Sequence, residues 1–425
     1  MERVAPSDRL KQELAALLAT GVRPAEADPA GKLVRLAARL VLQEALEQEQ
    51  SDFIGRSRYE RAETPRQGYR NGYEPAALQT AEGRLEVAVP QVRASEQPYR
   101  SRLLAFLGEH TEVLEKLAVE MYARGLSTRD VEAAFTEATG DCLLSKSAVS
   151  ELTDSLWEEY EAFGRRDLSG YAVAYLFVDG IYESVRAQAG SKEAVLCAWA
   201  ILGDGTKVLL HLALGNKESY DAWRAFFRSM QARGLASPVS ITSDGAPGLI
   251  RAIGEAFPQS LRLRCWFHKI TNVLGKLPER AKDAVLAHLR AIRDAPTLRV
   301  GEQMAAAFLE QYGKEYPSAT ICFQDDLAAT LAHLRLPEGH RIHCRTTNLV
   351  ERSFVEERRR AKVIPRFRDE RSCLKLVFAT LIRASRRWMR VRMTELQQAQ
   401  LAQLRRDLGQ NPPSDQDQQH GRIAA

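Results

Sequence analysis

Asp179 and Asp244 each stand at or near the end of an apolar run, and each is followed by a glycine. A carboxylate on a hydrophobic strand is costly to bury unless it is paired, hydrogen-bonded or bound to a metal. Glu351 follows Thr346-Thr347-Asn348 in the first turns of a predicted helix, where the helix dipole favours negative charge. Three carboxylates meeting at one sheet end suit two hard divalent cations, because Mg²⁺ takes oxygen ligands from carboxylate, water and phosphate. Two such ions roughly 3.5–4 Å apart clamp the attacking and leaving oxygens of an in-line phosphoryl displacement. No covalent intermediate is then required. The same aspartates also read as turn formers before glycine. A chain with 55 acidic residues holds many Asp–Asp–Glu triples, so residue types alone leave both readings open.

Cys265-x-x-His268 could be half of a zinc site. Cys322, His333, His340, His343 and Cys344 are possible partners, but none forms a second pair at zinc spacing. A structural or substrate-positioning role is the favoured reading. No motif supports a Ser, Cys or His nucleophile. Trp266 and Trp388 read as core residues. Between Arg345 and Arg392 there are 15 Lys and Arg against 5 Asp and Glu, a net of +10 in a chain whose total is +5. Such a concentration suits a polyanion, with nucleic acid first; a solvated helix face is the plainer alternative.

The elements that must position these residues change period along the chain. Residues 8–50 read as helix from leucines at helical spacing. Residues 51–74 are polar and irregular, with Arg56, Arg58, Arg61, Arg66 and Arg70 interleaved with Tyr59, Tyr69 and Tyr73. That pattern is either a DNA-contacting arm or a polar linker. A hairpin follows, Ala77–Thr80 and Leu85–Val89 about a turn at Glu82-Gly83. Residues 111–160 are helical again, with Ser127 or Thr128 as a cap and a further helix opening at Ser145-Lys146. This is a helix-turn-helix entering a major groove near Lys146, or an ordinary three-helix bundle.

From 171 the pattern is strand-like. Tyr171–Val178, Ala194–Leu202 and Lys207–Leu214 precede a helix at Ser219–Arg233, which carries Trp223, Phe226, Phe227 and Met230 on one face. A strand at Val239–Thr242, a helix and a strand at Leu261–Cys265 follow, which describes a mixed sheet with helices on its faces. Residues 266–335 are mostly helical. Thr346–Lys362 and Ser372–Met393 are predicted helices, and a Gln-rich tail closes the chain.

A length of 425 residues points to two to four domains. A 45% hydrophobic content excludes disorder of the whole chain. No run approaches the roughly 20 apolar residues of a membrane span. The charged first segment lacks a signal core, and six irregularly spaced Cys suit a reducing compartment. A cytoplasmic protein is expected.

Several blocks together carry a resemblance: Arg70-Asn71-Gly72-Tyr73, Gly125-Leu126-Ser127-Thr128-Arg129, Tyr175 to Gly180, Glu218-Ser219 with Trp223, Arg233-Gly234-Leu235, Ser243-Asp244-Gly245, Arg264 to Lys269, Asn272-Val273-Leu274, Thr346 to Arg352, Arg358-Arg359-Arg360 and Trp388. In that order the sequence resembles transposases of the bacterial insertion-sequence group related to eukaryotic Mutator elements. The match runs from about residue 50 to 392 and is specific as a set. It implies an α/β, RNase H-like catalytic core, a mixed five-stranded sheet with flanking helices, interrupted by an all-helical insertion and preceded by helical DNA-binding domains. Carried over by motif, the catalytic and metal-binding triad is Asp179, Asp244 and Glu351, holding two Mg²⁺ or Mn²⁺ ions. Intervals of 64 and 106 residues separate the three carboxylates, and the second fits the insertion. The family places a basic residue seven after the glutamate, here Arg358, and carries the Cys265-x-x-His268 signature.

The pattern and the resemblance together give this expected layout: a helical region (1–55), a basic arm and hairpin linker (56–110), a helix-turn-helix-like DNA-binding domain (111–168), the first part of the core (169–265), the helical insertion (266–340), the C-terminal core helices with the glutamate (341–395) and, from its Gln-rich composition, a disordered tail (396–425). The DNA contacts expected are Arg358, Arg359, Arg360, Lys362, Lys146, Arg70 and Arg129, with Arg366 and Arg368 near them. The partners are terminal inverted repeats, target DNA and a second copy of the chain, with the protein on the nucleoid when bound. The activity implied is metal-dependent strand cleavage and strand transfer, leaning towards copying out through a circular intermediate. A nuclease without strand transfer and an inactive DNA-binding regulator stand as alternatives. Where Gly180 and Gly245 stand, several relatives have another small residue, and Ile364-Pro365-Arg366-Phe367 departs from the usual aromatic-Pro pattern.

Overall fold

The computed structural model describes residues 4–20, 28–58, 60, 67–185, 192–215, 217–362, 364, 367–386 and 388–410. The chain divides into two compact units, Met1–Ser155 and Leu156–Ala425.

The first unit opens with α1 (Pro6–Thr20) and α2 (Pro29–Ile54). Asp28 caps α2 by accepting the Gly31 N–H, and Gly55 ends it in the left-handed region. An antiparallel hairpin follows, β1 (Tyr69–Thr80) with β2 (Gly83–Arg93). It is longer than the alternation of residues 85–89 suggests. A register shift between Arg70 and Tyr73 breaks the period-two signal there, as a bulge does. A lone hairpin leaves backbone groups unpaired along its edges. Along β2 these are met by α2: Arg35 donates to Glu82 O at 3.0 Å, Arg39 to Glu86 O at 3.0 Å, Gln43 to Ala88 O at 2.8 Å and Gln50 to Gln91 O at 2.8 Å. Intervals of four, four and seven residues put these donors on one helix face. After α3 (Arg102–Leu107) come α4 (Glu112–Ala123), α5 (Thr128–Thr139) and α6 (Lys146–Leu152). Ser127 caps α5 in a reciprocal box with Asp130, and Ser145 caps α6. These three helices close on Leu114, Ala118, Val131, Phe135, Leu143, Leu144 and Val149.

The second unit follows α7 (Ser155–Arg165) with β3 (Val173–Ser184), β4 (Lys192–Leu202) and β5 (Lys207–Gly215). Then come α8 (Tyr220–Ala232), β6 (Ser240–Ser243), α9 (Pro247–Ala256) and β7 (Leu261–Arg264). The five strands form one mixed sheet in the order β5-β4-β3-β6-β7. Neighbours are antiparallel from β5 to β3 and parallel from β3 to β7. Asp179-Gly180 reads as a strand terminator, but β3 runs through it to Ser184, because β4 pairs with it on both sides and sets Cys197 opposite Asp179.

Side chains alternate across the sheet. Leu176, Val178 and Ile241 meet Trp223, Phe226, Phe227 and Met230 of α8 and Leu249 and Ile253 of α9. The helices α10 (Trp266–Leu274), α11 (Glu279–Arg293), α12 (Leu298–Tyr312), α13 (Pro317–Gln324) and α14 (Leu327–Leu331) build a separate core around Trp266, Leu289, Phe308 and Phe323, and α15 (Glu338–Cys344) follows them. A short 3₁₀ turn, Ala332–Arg335, joins α14 to α15. On the remaining face lie α16 (Asn348–Ala361) and α17 (Glu370–Ser385), the latter buried continuously from Cys373 to Leu381.

The chain does not become a disordered tail at residue 396. Helix α18 (Glu395–Asp407) follows a Thr394–Gln397 capping box. Its Arg405 donates to Val173 O at 2.7 Å, and Gln410 donates to Pro238 O at 2.9 Å and Gln259 O at 3.0 Å. The Gln-rich composition hides an anchored helix, because its stability comes from these backbone acceptors rather than from a broad apolar face. Residues 411–425 of the expected tail lie outside the described residues.

Candidate active site

Two aspartates meet because two parallel strands keep register. Phe177 of β3 pairs with Thr242 of β6, so two residues further on Asp179 and Asp244 stand at the same level. Asp179 accepts the Gly180 N–H at 2.9 Å, and Asp244 accepts the Ala246 N–H at 3.1 Å at the start of α9. Burial pushes the Asp179 carboxyl up to about 7, against the Gly180 bond and the His268 charge and with help from Asp244 and Glu218.

Glu351 arrives from α16, whose start is stitched to the sheet. The Thr242 hydroxyl donates to Cys344 O at 2.7 Å, and the Trp266 N–H donates to Arg345 O at 2.9 Å. The Thr347 hydroxyl donates to Glu351 Oε1 at 2.7 Å, and its N–H donates to Cys265 Sγ at 3.4 Å. Cys265, His268 and Glu351 bring one ligand atom each within 4.8 Å of one another. Glu351 is the partner that spacing alone did not supply. The Cys265 thiol beside it, opposed by burial and aided by Asp179 and Glu351, holds the His268 imidazole up at about 9. His268 therefore stands in the field of carboxylates from both β3 and α16.

A fourth carboxylate, Glu218, reaches the same place from the turn before α8. Burial and then Asp244 raise it. Its side chain occupies the space over Gly180, where an added Cβ would lie 2.5 Å from Glu218 Oε1. Sequence reasoning noted Glu218 only as part of a motif; the signal available was a glycine directly after a strand carboxylate. Among the described residues none of Asp179, Asp244, Glu218 and Glu351 has a salt bridge to Lys or Arg. Asp179, Asp244 and Glu218 feel one another's charge, a crowding that a divalent cation relieves, so their oxygen donors suit a hard metal ion; among the described residues, the ligand atoms that come within 4.8 Å of one another are those of Cys265, His268 and Glu351 instead.

The basic residues fall in several places. Arg358 and Lys362 are exposed at the end of α16. Arg359 and Arg360 pair with Glu356 at 2.8 and 2.7 Å. Arg129 and Lys146 are exposed at the starts of α5 and α6. Arg70 is turned inward, donating to Ser51 Oγ at 3.1 Å and Arg56 O at 2.8 Å; it ties β1 to the end of α2. Tyr59, Arg61, Arg66, Pro365 and Arg366 lie outside the described residues. Of the other possible zinc partners, His333 accepts or donates within its own helical core, and His340 meets Tyr175 at 2.6 Å.

The family model for transposases of the Mutator family matches residues 10–391. The chain is similar to the transposase for insertion sequence element ISRM5 of Rhizobium meliloti (strain 1021), 36% identical over 84% of this chain and 88% of the relative. It is also similar to that for IS406 of Burkholderia multivorans, 36% identical over 89% of this chain and 95% of the relative. Similarity extends at 28% identity to that for IS256 in transposon Tn4001 of Staphylococcus aureus, over 82% and 89% of the two chains.

Proposed function

Because the chain belongs to the Mutator family of transposases, we propose that it binds the terminal inverted repeats of an insertion sequence, cleaves a DNA strand there and joins the freed 3′ end to target DNA. The observation that carries this reading is the pair Asp179 and Asp244 at one level of adjacent strands, with Glu351 brought up beside His268. Three antiparallel strands continued by two parallel ones, with helices on both faces, support an RNase H-like core.

Asp179, Asp244 and Glu351 would hold two Mg²⁺ or Mn²⁺ ions, which when bound stabilise charge on the scissile phosphate and acidify an attacking hydroxyl. The protein's own part is placement. The β3–β6 register fixes the two aspartates, Thr347 orients the Glu351 carboxylate, and Cys265 with His268 backs that carboxylate from α10. Water and the terminal 3′-OH serve in turn as nucleophiles in the same phosphoryl chemistry. Arg358 and Lys362, with Arg359 and Arg360 behind them, would take phosphates beside the site. The segments 1–55, 56–110 and 111–168 would read the repeat, with Lys146 and Arg129 at helix starts; Arg70 would serve there by holding the hairpin rather than by touching DNA. Two chains would bring two ends together on the nucleoid.

The test is a labelled duplex of the element's end incubated with Mg²⁺, beside Asp179→Ala, Asp244→Ala and Glu351→Ala. Nicking and joining that all three changes abolish, with repeat binding retained, is the expected result. Nicking without joining of a pre-cut end would support a nuclease. Binding without any nicking would support a regulator, and cutting that survives one change removes that residue from the triad.

A further inference from the structure

Arg264 ends β7, opposite Ser243 in the parallel register and one position from the level of Asp244. It is 7% exposed. Its Nε and Nη1 are shielded from solvent and meet no hydrogen-bond partner. A guanidinium loses strong hydration on burial and ordinarily recovers it from a carboxylate or carbonyl fork. Two residues earlier on the same strand face, Arg262 does so, with both oxygens of Asp326. The neighbouring cation Lys269 does so too, donating to Cys322 O at 2.8 Å and to Asp325 O. Arg264 alone of these three has its charge stowed without an acceptor.

It lies over Gly245. A methyl group there would overlap the guanidinium carbon and both terminal nitrogens. The glycine after the second aspartate is thus the space in which Arg264 rests. Among the described residues no hydrogen bond holds its Nε or Nη1 there, so rotation about its side-chain bonds can bring the fork out towards Asp244 without breaking one.

We propose that Arg264 is a DNA-phosphate seat of the active site: it leaves its resting place over Gly245 and grips a phosphodiester next to the strand held at Asp179 and Asp244. This rests on the strand-cleavage reading above. A planar fork of N–H donors matches two phosphate oxygens, and the bond supplies the acceptors that the folded chain withholds. The guanidinium also adds a positive charge on the strand next to Asp244 when a polyanion enters.

The experiment measures binding of the full chain to the duplex of the element's end, without metal, by fluorescence anisotropy. Single neutral methylphosphonates replace, one at a time, the phosphates flanking the cut. Wild type is expected to lose at least about tenfold in affinity at one position. Arg264→Gln is expected to lose a similar factor on unmodified DNA and nothing further at that position. Gly245→Ala, which displaces the guanidinium from its resting place, is expected to keep the methylphosphonate sensitivity. Because Arg264→Gln removes an unpaired buried charge, its melting temperature is expected to match or exceed wild type. Equal affinity of Arg264→Gln and wild type, or losses that multiply at every position, would overturn the proposal. Nicking is recorded in parallel with Mg²⁺. The expected binding pattern with no nicking keeps the seat and discards the cleavage reading; nicking with no sensitive phosphate does the reverse.

Discussion

The indole N–H of Trp199 donates to the hydroxyl of Ser353 at 3.1 Å, and both residues are fully buried. This bond ties β4 to α16 two residues beyond Glu351. The Ser353 hydroxyl in turn donates to Val350 O at 2.6 Å, so it is satisfied in both roles. Ser353→Ala is expected to strand the indole donor and cost about 1–3 kcal/mol. Urea unfolding reads the loss, and strand cleavage should fall while repeat binding holds. An unchanged unfolding midpoint would show that the bond contributes nothing.

Asp179 links metal binding to pH. Its proton, held up to about 7 in the metal-free protein, must leave when a cation enters. Folding stability from this group is present below the ordinary carboxylate range and is lost as pH rises through about 7; a bound cation reverses that loss. Divalent affinity is therefore expected to climb between pH 5 and 7 and flatten above, with proton release seen by calorimetry in two buffers. Flat affinity across that range would contradict the crowded-carboxylate account.

Glu357 faces inward from α16, and burial, with Glu183 next, pushes its carboxyl up to about 8. The folded chain then holds a proton the unfolded chain has lost between roughly pH 4.5 and 8. Stability should decline across that window by at most about 1.4 kcal/mol per pH unit. Glu357→Gln is expected to flatten this slope and to be the more stable protein at pH 8.5. Parallel melting curves of the two proteins across pH would refute it.

The four cations Arg358, Arg359, Arg360 and Lys362 at the end of α16 are not equivalent. Arg359 and Arg360 are engaged by Glu356, while Arg358 and Lys362 are exposed. Removing Arg358 or Lys362 is expected to shallow the dependence of log affinity on log salt by about 0.9 each. Arg359→Ala should change it less. Equal slopes for all four variants would show that the Glu356 pairs dissolve on DNA.

Gly180 is required for space. Gly180→Ala puts a methyl 2.5 Å from Glu218 Oε1, and the flexible side chain must move. Melting should stay near wild type, whereas Mg²⁺ affinity should drop several-fold. Wild-type affinity in this variant would remove Glu218 from the site.

The apolar runs before Asp179 and Asp244 announced the two strands, but residue types alone left the aspartates open between turn formers and metal ligands, and only the resemblance singled them out; the helix of Glu351 was legible from local sequence. Trp223, Phe226, Phe227 and Met230 were legible by period alone. What stayed hidden is what register and distance decide. Glu218 and Arg264 reach the site from a turn and a strand end, with no periodic mark. The union of Cys265 and His268 with Glu351 spans the whole insertion. The bulge near Arg70 erased the alternation of β1, and α18 was concealed by a polar composition that its backbone contacts compensate.

The helical insertion between β7 and α16 also sets the order in which the protein comes into being. During synthesis all five strands, with Asp179 and Asp244, leave the ribosome before the segment bearing Glu351 exists, and domains fold as they emerge. On the proposed reading, Glu351 is therefore the last of the three carboxylates to be made, and the nascent chain cannot cut DNA before then. A gene copy broken within the insertion would still encode the first unit and the paired aspartates. On the reading above, its product would occupy the element's ends without cutting them. Decay of such an element would make an antagonist of its intact siblings, and mixing that fragment with the whole protein in the nicking assay would reveal it.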